Sequence, residues 1–106
     1  LRFTLVSRTP TDNTIGYNDI TNHTLQQHSV IVNCTPLGML PNVNSLPPIP
    51  YHLLTPAHLL YDCVYNPPCT AFLNEGKKRG TRIVNGLQML QMQANAAWEI
   101  WKEDNQ

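Results

Sequence analysis

The sequence predicts a small α/β protein whose sheet is mostly parallel, and three observations lead to that fold class. Runs rich in β-branched residues, typical of buried strands, alternate with segments of helical periodicity. The connections between most of these segments are short. Several predicted strands end in polar or small residues, which is where open parallel sheets bind ligands. The 106 residues suffice for one domain, predicted to span residues 1–106.

The predicted elements follow one another along the chain. Strands are expected over residues 1–6, 29–33, 58–65 and 81–84, with a weaker extended piece over 14–17. A short helix capped by Asn18 or Asp19 is expected to end near residue 27, and longer helices are expected over 70–79 and 86–102. The last helix has an apolar face at spacings of three and four, formed by Leu87, Leu90, Ala94, Ala97, Trp98 and Trp101. Residues 36–56 hold six prolines, and so long a loop is functional or disordered.

Composition excludes several classes of function. Charged residues make up 13% of the chain and the formal net charge is zero, so neither nucleic acid nor an anionic membrane surface is an expected partner. No apolar run is long enough to cross a bilayer. The three cysteines are odd in number and lack paired spacing, which indicates reduced thiols and a cytoplasmic location. The four histidines lack the spacing of zinc ligands and are interpreted as surface or loop residues, so no metal is expected.

Unusual residues gather at the predicted strand ends. They are "SRT" at 7–9, "NCTPLGM" at 33–39 and "DCVYNP" at 62–67, and the last helix begins with "NGLQML" at 85–90. Since the carboxyl ends of parallel strands meet at one edge of a sheet, we expect these segments to converge there. This convergence is a stronger indication of a binding site than any one segment.

The residues alone leave two interpretations open at each segment. Arg8 follows a strand, and its guanidinium suits a phosphate, but the pattern alone favours a solvated surface arginine. The small residues 33–35 let a ring or ribose lie against the backbone, while Pro36 and Gly38 fix the turn that follows. An ordinary strand-to-loop turn would have the same pattern. Asp62 is interpreted as structural rather than catalytic.

Three longer motifs carry a resemblance to a known family. "VNCTPLGM" at 32–39, "YDCVYNPPCTAFL" at 61–73 and "NGLQMLQMQANAAWEIW" at 85–101 together resemble the C-terminal half of shikimate dehydrogenase. "VSRT" at 6–9 is similar to that family's Asn-Arg-Thr cofactor motif, with Ser7 in place of the Asn. The resemblance implies an enzyme that interconverts 3-dehydroshikimate and shikimate with NADPH, and an incomplete Rossmann-like NADP-binding domain with helices flanking the sheet.

The resemblance also implies a role for each site residue. Arg8, with Ser7 and Thr9, would hold the 2′-phosphate of NADP, and Tyr65 and Gln93 would contact the substrate. The remaining cofactor contacts would come from Asn33, Cys34, Thr35, Cys63, Gly86 and Met89. In this family the first strand, the glycine-rich loop and the substrate domain with its catalytic Lys and Asp all lie upstream of the first motif. No catalytic residue is therefore expected in this chain, which alone is expected to be inactive.

Two alternatives and one consequence for assembly follow. One alternative is a quinate/shikimate dehydrogenase that uses NAD. An acidic residue near position 8 would favour this alternative, and there is none. A catalytically silent binding protein on the same fold stays open. Without the first strand, the sheet is expected to split into a small N-terminal piece and a larger piece from 29–33, 59–64 and 81–84. Its unpaired edges would recruit a second copy, so a homo-oligomer is expected.

Overall fold

The fold was analysed in a computed structural model that describes residues 3–104. Its strands are β1 (Leu5–Val6), β2 (Thr14–Ile15), β3 (Val30–Asn33), β4 (Leu59–Asp62) and β5 (Arg82–Val84). Its α-helices are α1 (Asn22–Gln27), α2 (Ala71–Lys78) and α3 (Gly86–Asp104), with short 3₁₀ turns at Tyr17–Asp19 and Tyr51–Leu53.

The strands form two separate sheets in which every described pair is parallel. β1 pairs with β2, and β3, β4 and β5 form a second sheet in that order. Asn33 at the end of β3 lies opposite Asp62 at the end of β4, so these two strands end level with each other. The predicted α/β class and the predicted division of the sheet are both confirmed.

Several element boundaries differ from the prediction. The strand predicted over 1–6 is paired only at Leu5–Val6, and residues 1 and 2 lie outside the described part of the chain. The strand predicted over 58–65 is confined to Leu59–Asp62. The single helix expected up to residue 27 is a 3₁₀ turn followed by α1, whose cap is Thr21 instead of Asn18 or Asp19. Thr21 and Thr24 each accept a hydrogen bond from the other's backbone N–H, which fixes the start of α1.

The core lies between the three-stranded sheet, α2 and the proline-rich loop. Leu54, Leu60, Phe72 and Leu73 form its buried centre. Gly76 of α2 lets the helix approach the sheet closely, because a Cβ there would lie 2.6 Å from Cδ1 of Leu60. The sequence predicted that the long loop is either functional or disordered. In the structure its Leu46, Ile49 and Tyr51 pack against this core, so the loop has a structural role.

His58 corrects the interpretation of the histidines as surface or loop residues. Its side chain is buried at the start of β4. Nδ1 accepts a hydrogen bond from the Thr55 N–H at 3.0 Å, so Nε2 carries the proton that it donates to the Leu25 carbonyl at 2.9 Å. This ring ties the end of α1 to the larger sheet.

One face of the larger sheet and most of α3 are uncovered within residues 3–104. Ile31 packs against the buried core and Asn33 is buried, whereas Val30 and Val32 alternate to the other side and are each 51% exposed. The predicted helix over 86–102 is confirmed, but the described part of its apolar face is exposed at Leu87, Leu90, Trp98 and Trp101. Parallel sheets usually have both faces covered, so these surfaces are unusual for this class of fold.

Candidate functional site

A buried hydrogen-bond network around Asp62 joins the ends of the two central strands to α2. The Thr70 hydroxyl donates to Oδ2 of Asp62 at 2.5 Å. Oδ1 accepts from Nδ2 of Asn33 at 3.2 Å and from the Val64 N–H at 3.0 Å. Asp62 is fully buried and Thr70 also caps α2, so the network fixes β3, β4 and the helix relative to one another. The interpretation of Asp62 as structural agrees with this geometry.

The same network shapes the loop after β3. Oδ1 of Asn33 accepts hydrogen bonds from the Thr35 N–H at 3.1 Å and the Thr35 hydroxyl at 2.7 Å. The Thr35 hydroxyl then accepts from the Leu37 N–H at 3.2 Å. Gly38 has φ of +95°, a left-handed conformation that favours glycine. The amide of Asn33 is thus engaged on both sides and holds the loop, and the predicted contact of Asn33 with the cofactor stays a prediction.

A cleft of about 480 Å³, which we call the strand-end cleft, lies beyond the carboxyl ends of β3 and β4. It brings together four of the predicted site residues, Cys34, Thr35, Cys63 and Tyr65. The complete lining is Cys34, Thr35, Pro36, Met39, Leu40, Cys63, Val64, Tyr65 and Asn66. The walls are mainly apolar with a few hydroxyl, thiol and amide groups, which suits a planar, weakly polar ring.

Gly86 lies next to the strand-end cleft, where it packs against the backbone of Cys63. The sequence did not predict this contact. A Cβ at this position would lie 2.1 Å from the Cys63 carbonyl oxygen, so only glycine allows α3 to begin beside the end of β4. Asn85 and Gln88 exchange side-chain-to-backbone hydrogen bonds at 3.2 and 3.1 Å, which caps the helix there. The close approach is thus made by the chain's own backbone.

The segment 7–9 lies apart from the strand-end cleft. Ser7 accepts a hydrogen bond from the Thr9 N–H at 3.2 Å, and its own N–H donates to the Ile15 carbonyl at 2.9 Å. Arg8 is exposed, and none of the ion pairs within the described residues involves it. Its guanidinium is therefore presented to solvent beyond the carboxyl end of β1.

The predicted substrate contacts differ in their surroundings. Tyr65 lines the strand-end cleft and is half exposed. Gln93 is an exposed residue of α3 and does not line this cleft. Met89 also belongs to α3, but its side chain lies outside the described part of the structure.

Two structural residues near the site were not predicted. Thr70 completes the Asp62 network, and its sequence signal was its position as the first residue of the helix expected over 70–79, since threonine is a preferred cap at a helix start. No sequence pattern indicated that Gly76 contacts the sheet. It directly precedes "KKRG" at 77–80, and a glycine in such a place is typical of a helix end. Within the described residues no three His, Cys, Asp or Glu side chains gather as metal ligands. Nor does any helix of residues 3–104 have the length and hydropathy needed to cross a membrane.

The parallel strands, their level carboxyl ends and the cleft beyond them define a Rossmann-like α/β unit. A shikimate dehydrogenase (NADP⁺) from Desulforamulus reducens is 42% identical over 84 residues, which are 79% of this chain and 29% of that protein. No protein-family model matches the chain. The sequence relationship nevertheless places the chain in the shikimate dehydrogenase family.

Solved structures agree with the sequence comparison. A shikimate dehydrogenase in complex with NADP⁺ is 34% identical with a TM-score of 0.68, covering 84% of this chain and 30% of the other. A chorismate mutase/shikimate 5-dehydrogenase fusion protein from Clostridium acetobutylicum is 35% identical with a TM-score of 0.71, covering 92% of this chain and 36% of the other. The chain therefore spans about a third of the length of these relatives.

Proposed function

We propose that this chain is the NADP-binding part of an enzyme that reversibly reduces 3-dehydroshikimate to shikimate. The observation that carries the proposal is the strand-end cleft, where Cys34, Thr35, Cys63 and Tyr65 converge beyond two parallel strands. Relatives named shikimate dehydrogenase (NADP⁺) support the choice of cofactor and reaction. The odd number of cysteines, without paired spacing, supports a reducing, cytoplasmic location.

The proposal assigns a different part of NADP to each segment. The nicotinamide and its ribose lie in the strand-end cleft against residues 34–35 and Cys63, with Gly86 and Met89 at its border. Arg8, which has no ion-pair partner among the described residues, holds the 2′-phosphate together with the hydroxyls of Ser7 and Thr9. An NAD enzyme would instead place a carboxylate at the ribose hydroxyl.

The chain contributes binding, while proton transfer is assigned to groups outside it. The described lining of the strand-end cleft contains no Lys, His, Asp or Glu. Asp62, which is close by, is buried and accepts hydrogen bonds from three donors, so it cannot reach a substrate. Tyr65 and Gln93 position the substrate. NADPH supplies the hydride when bound, and the 106-residue chain alone does not turn over shikimate.

Binding of NADP⁺ to the ¹⁵N-labelled chain tests where the cofactor lies. Amide chemical shifts are expected to change at residues 7–9, 34–35 and 63–65, because these segments would surround the cofactor. Residues at the opposite edge, such as Ser29, Leu59 and Thr81, serve as the internal reference and are expected to stay unchanged. Changes confined to that opposite edge, or none at saturating NADP⁺, would refute the proposal.

A matched pair of variants sharpens this test. Cys34→Leu adds bulk to the strand-end cleft, and we expect NADP⁺ binding to weaken by about tenfold, which corresponds to about 1.4 kcal/mol of lost contact. Cys69→Leu makes the same exchange at an exposed residue that does not line the cleft and is expected to leave binding unchanged. Equal affinities of the two variants would contradict the assignment of the cleft.

The 106-residue chain is also proposed to associate with a second copy. Within the described residues β3 pairs only with β4, and β1 only with β2, so both sheets have an unpaired edge. A cavity of about 380 Å³ lies between the two sheets, and its lining includes the exposed side chains of Phe3, Leu5, Val30 and Val32. Unpaired edges beside apolar surface are templates for strand pairing, and an identical chain offers the same edges in return.

Light scattering over a range of protein concentrations tests this association. The chain is expected to have the mass of a dimer or larger, and Val32→Lys is expected to lower that mass because a charge next to an open edge opposes pairing. Asn74→Lys adds the same charge on the exposed side of α2 and is expected to have no effect. A wild-type monomer at high concentration would contradict the proposed association.

A further inference from the structure

Two cysteines of the strand-end cleft lie side by side. Cys34 follows β3 and Cys63 follows β4, immediately after the paired residues Asn33 and Asp62. The Cys63 N–H donates to the Asn33 carbonyl at 3.1 Å, so the parallel pairing continues to this point. The two sulfur atoms are 3.9 Å apart. Neighbouring strands are about 4.8 Å apart, a spacing within the Cα–Cα range of about 4.4–6.8 Å found in disulfides.

Both thiols are reachable and neither is committed elsewhere in the described structure. Cys34 is exposed, Cys63 is partly exposed, and both line the strand-end cleft. No third metal-ligating side chain joins them within residues 3–104, so the pair is not a metal centre of the usual kind. Burial, followed by the neighbouring thiol of Cys34, raises the pKa of Cys63. Reaction through the Cys63 thiolate is therefore expected to become faster as the pH rises.

We propose that Cys34 and Cys63 form a redox-active dithiol that closes to an intramolecular disulfide on reaction with a peroxide. The Cys34 thiol loses its proton and the thiolate attacks one oxygen of hydrogen peroxide; the O–O bond breaks, the leaving hydroxide takes up that proton, and a sulfenic acid and one water result. The Cys63 thiolate then attacks the sulfur of Cys34, the S–O bond breaks, and hydroxide leaves and takes up a proton. Overall the two thiols lose two electrons to hydrogen peroxide, giving one disulfide and two molecules of water.

The proximity created by the fold is the physical basis of the proposal. The cysteines are 29 positions apart in sequence, separated mainly by the proline-rich loop, so only the folded chain holds them together. A reaction between groups held in contact is faster than one that waits for chain diffusion. This chemistry depends on the two thiols alone and does not require that the cleft hold a nicotinamide.

Thiol counting and peptide mapping test the proposal on the full 106-residue chain. After treatment with hydrogen peroxide, only Cys69 is expected to react with an alkylating reagent, and mass spectrometry of the digest is expected to contain a peptide with Cys34 linked to Cys63. Closure is expected to be at least about tenfold faster in the native chain than in urea, because unfolding separates the thiols. It is also expected to be independent of protein concentration.

Variants provide the controls and define failure. Cys69→Ser is expected to close at the wild-type rate, since this exposed residue is outside the strand-end cleft. Cys34→Ser is expected to form no intramolecular disulfide. The proposal is overturned if Cys34 and Cys63 both stay alkylatable after peroxide treatment, if closure is equally fast in urea, or if the products are only disulfides between chains.

Discussion

Replacing Asp62 with Ala is expected to lower the free energy of unfolding by about 3–5 kcal/mol, because three buried donors lose their acceptor at once. These donors are the Thr70 hydroxyl, the Asn33 amide and the Val64 N–H. The side chain is fully buried, so the three donors are removed from bulk solvent. A change of this size is a large share of the stability of a small domain. It is measured from the urea midpoint and slope.

Two further variants separate this network from a general effect of losing a charge. Asp12→Ala removes an exposed carboxylate and is expected to change stability by less than about 0.5 kcal/mol. Asp62→Asn keeps one acceptor oxygen but turns an NH₂ group towards a donor, so an intermediate loss is expected. The smallest cost of one unsatisfied buried donor is about 1 kcal/mol. If the free energy of unfolding of Asp62→Ala differs from that of the wild type by less than this amount, the network does not hold the strand ends together.

The parts of the fold that depend on local pattern could be predicted from the sequence. The β-branched run before Asn33 predicted β3, and the spacing of three and four along α3 predicted that helix. Polar residues after two strands predicted that Cys34, Thr35 and Tyr65 would meet, because parallel strands end at one edge. Gly38 was predicted to fix a turn, and its positive φ confirms this.

The parts that depend on tertiary contact could not be predicted in this way. The burial of His58 depends on a carbonyl 33 residues away in α1, which no local pattern indicates. Gly86 is required by the Cys63 backbone, a neighbour that only the folded chain brings close. The engagement of the Asn33 amide by both Thr35 and Asp62 likewise appears only once the strands are in register.

Replacing Arg8 with Ala is expected to remove the preference for a 2′-phosphate. Arg8 is exposed beyond the end of β1 and free of ion pairs within the described residues, so its charge is available to a ligand. A lost charge-assisted contact is worth about 1.5–3 kcal/mol, which corresponds to roughly 10- to 150-fold in affinity. Adenosine 2′,5′-bisphosphate should lose this affinity, while adenosine 5′-monophosphate, which lacks the 2′-phosphate, should be nearly unaffected.

Arg82→Ala is the matched control, because it removes an exposed arginine at the amino end of β5, in the larger sheet, whereas Arg8 follows β1 of the smaller sheet. It lowers the net charge equally and is expected to change neither affinity. The decisive measurement is the ratio of the two dissociation constants, determined by titration calorimetry for wild type and Arg8→Ala. An NADP-binding chain is expected to favour the 2′-phosphate at least about tenfold in the wild type and to lose that preference in the variant. Equal weakening of both ligands, or a wild type without preference, would contradict the assignment.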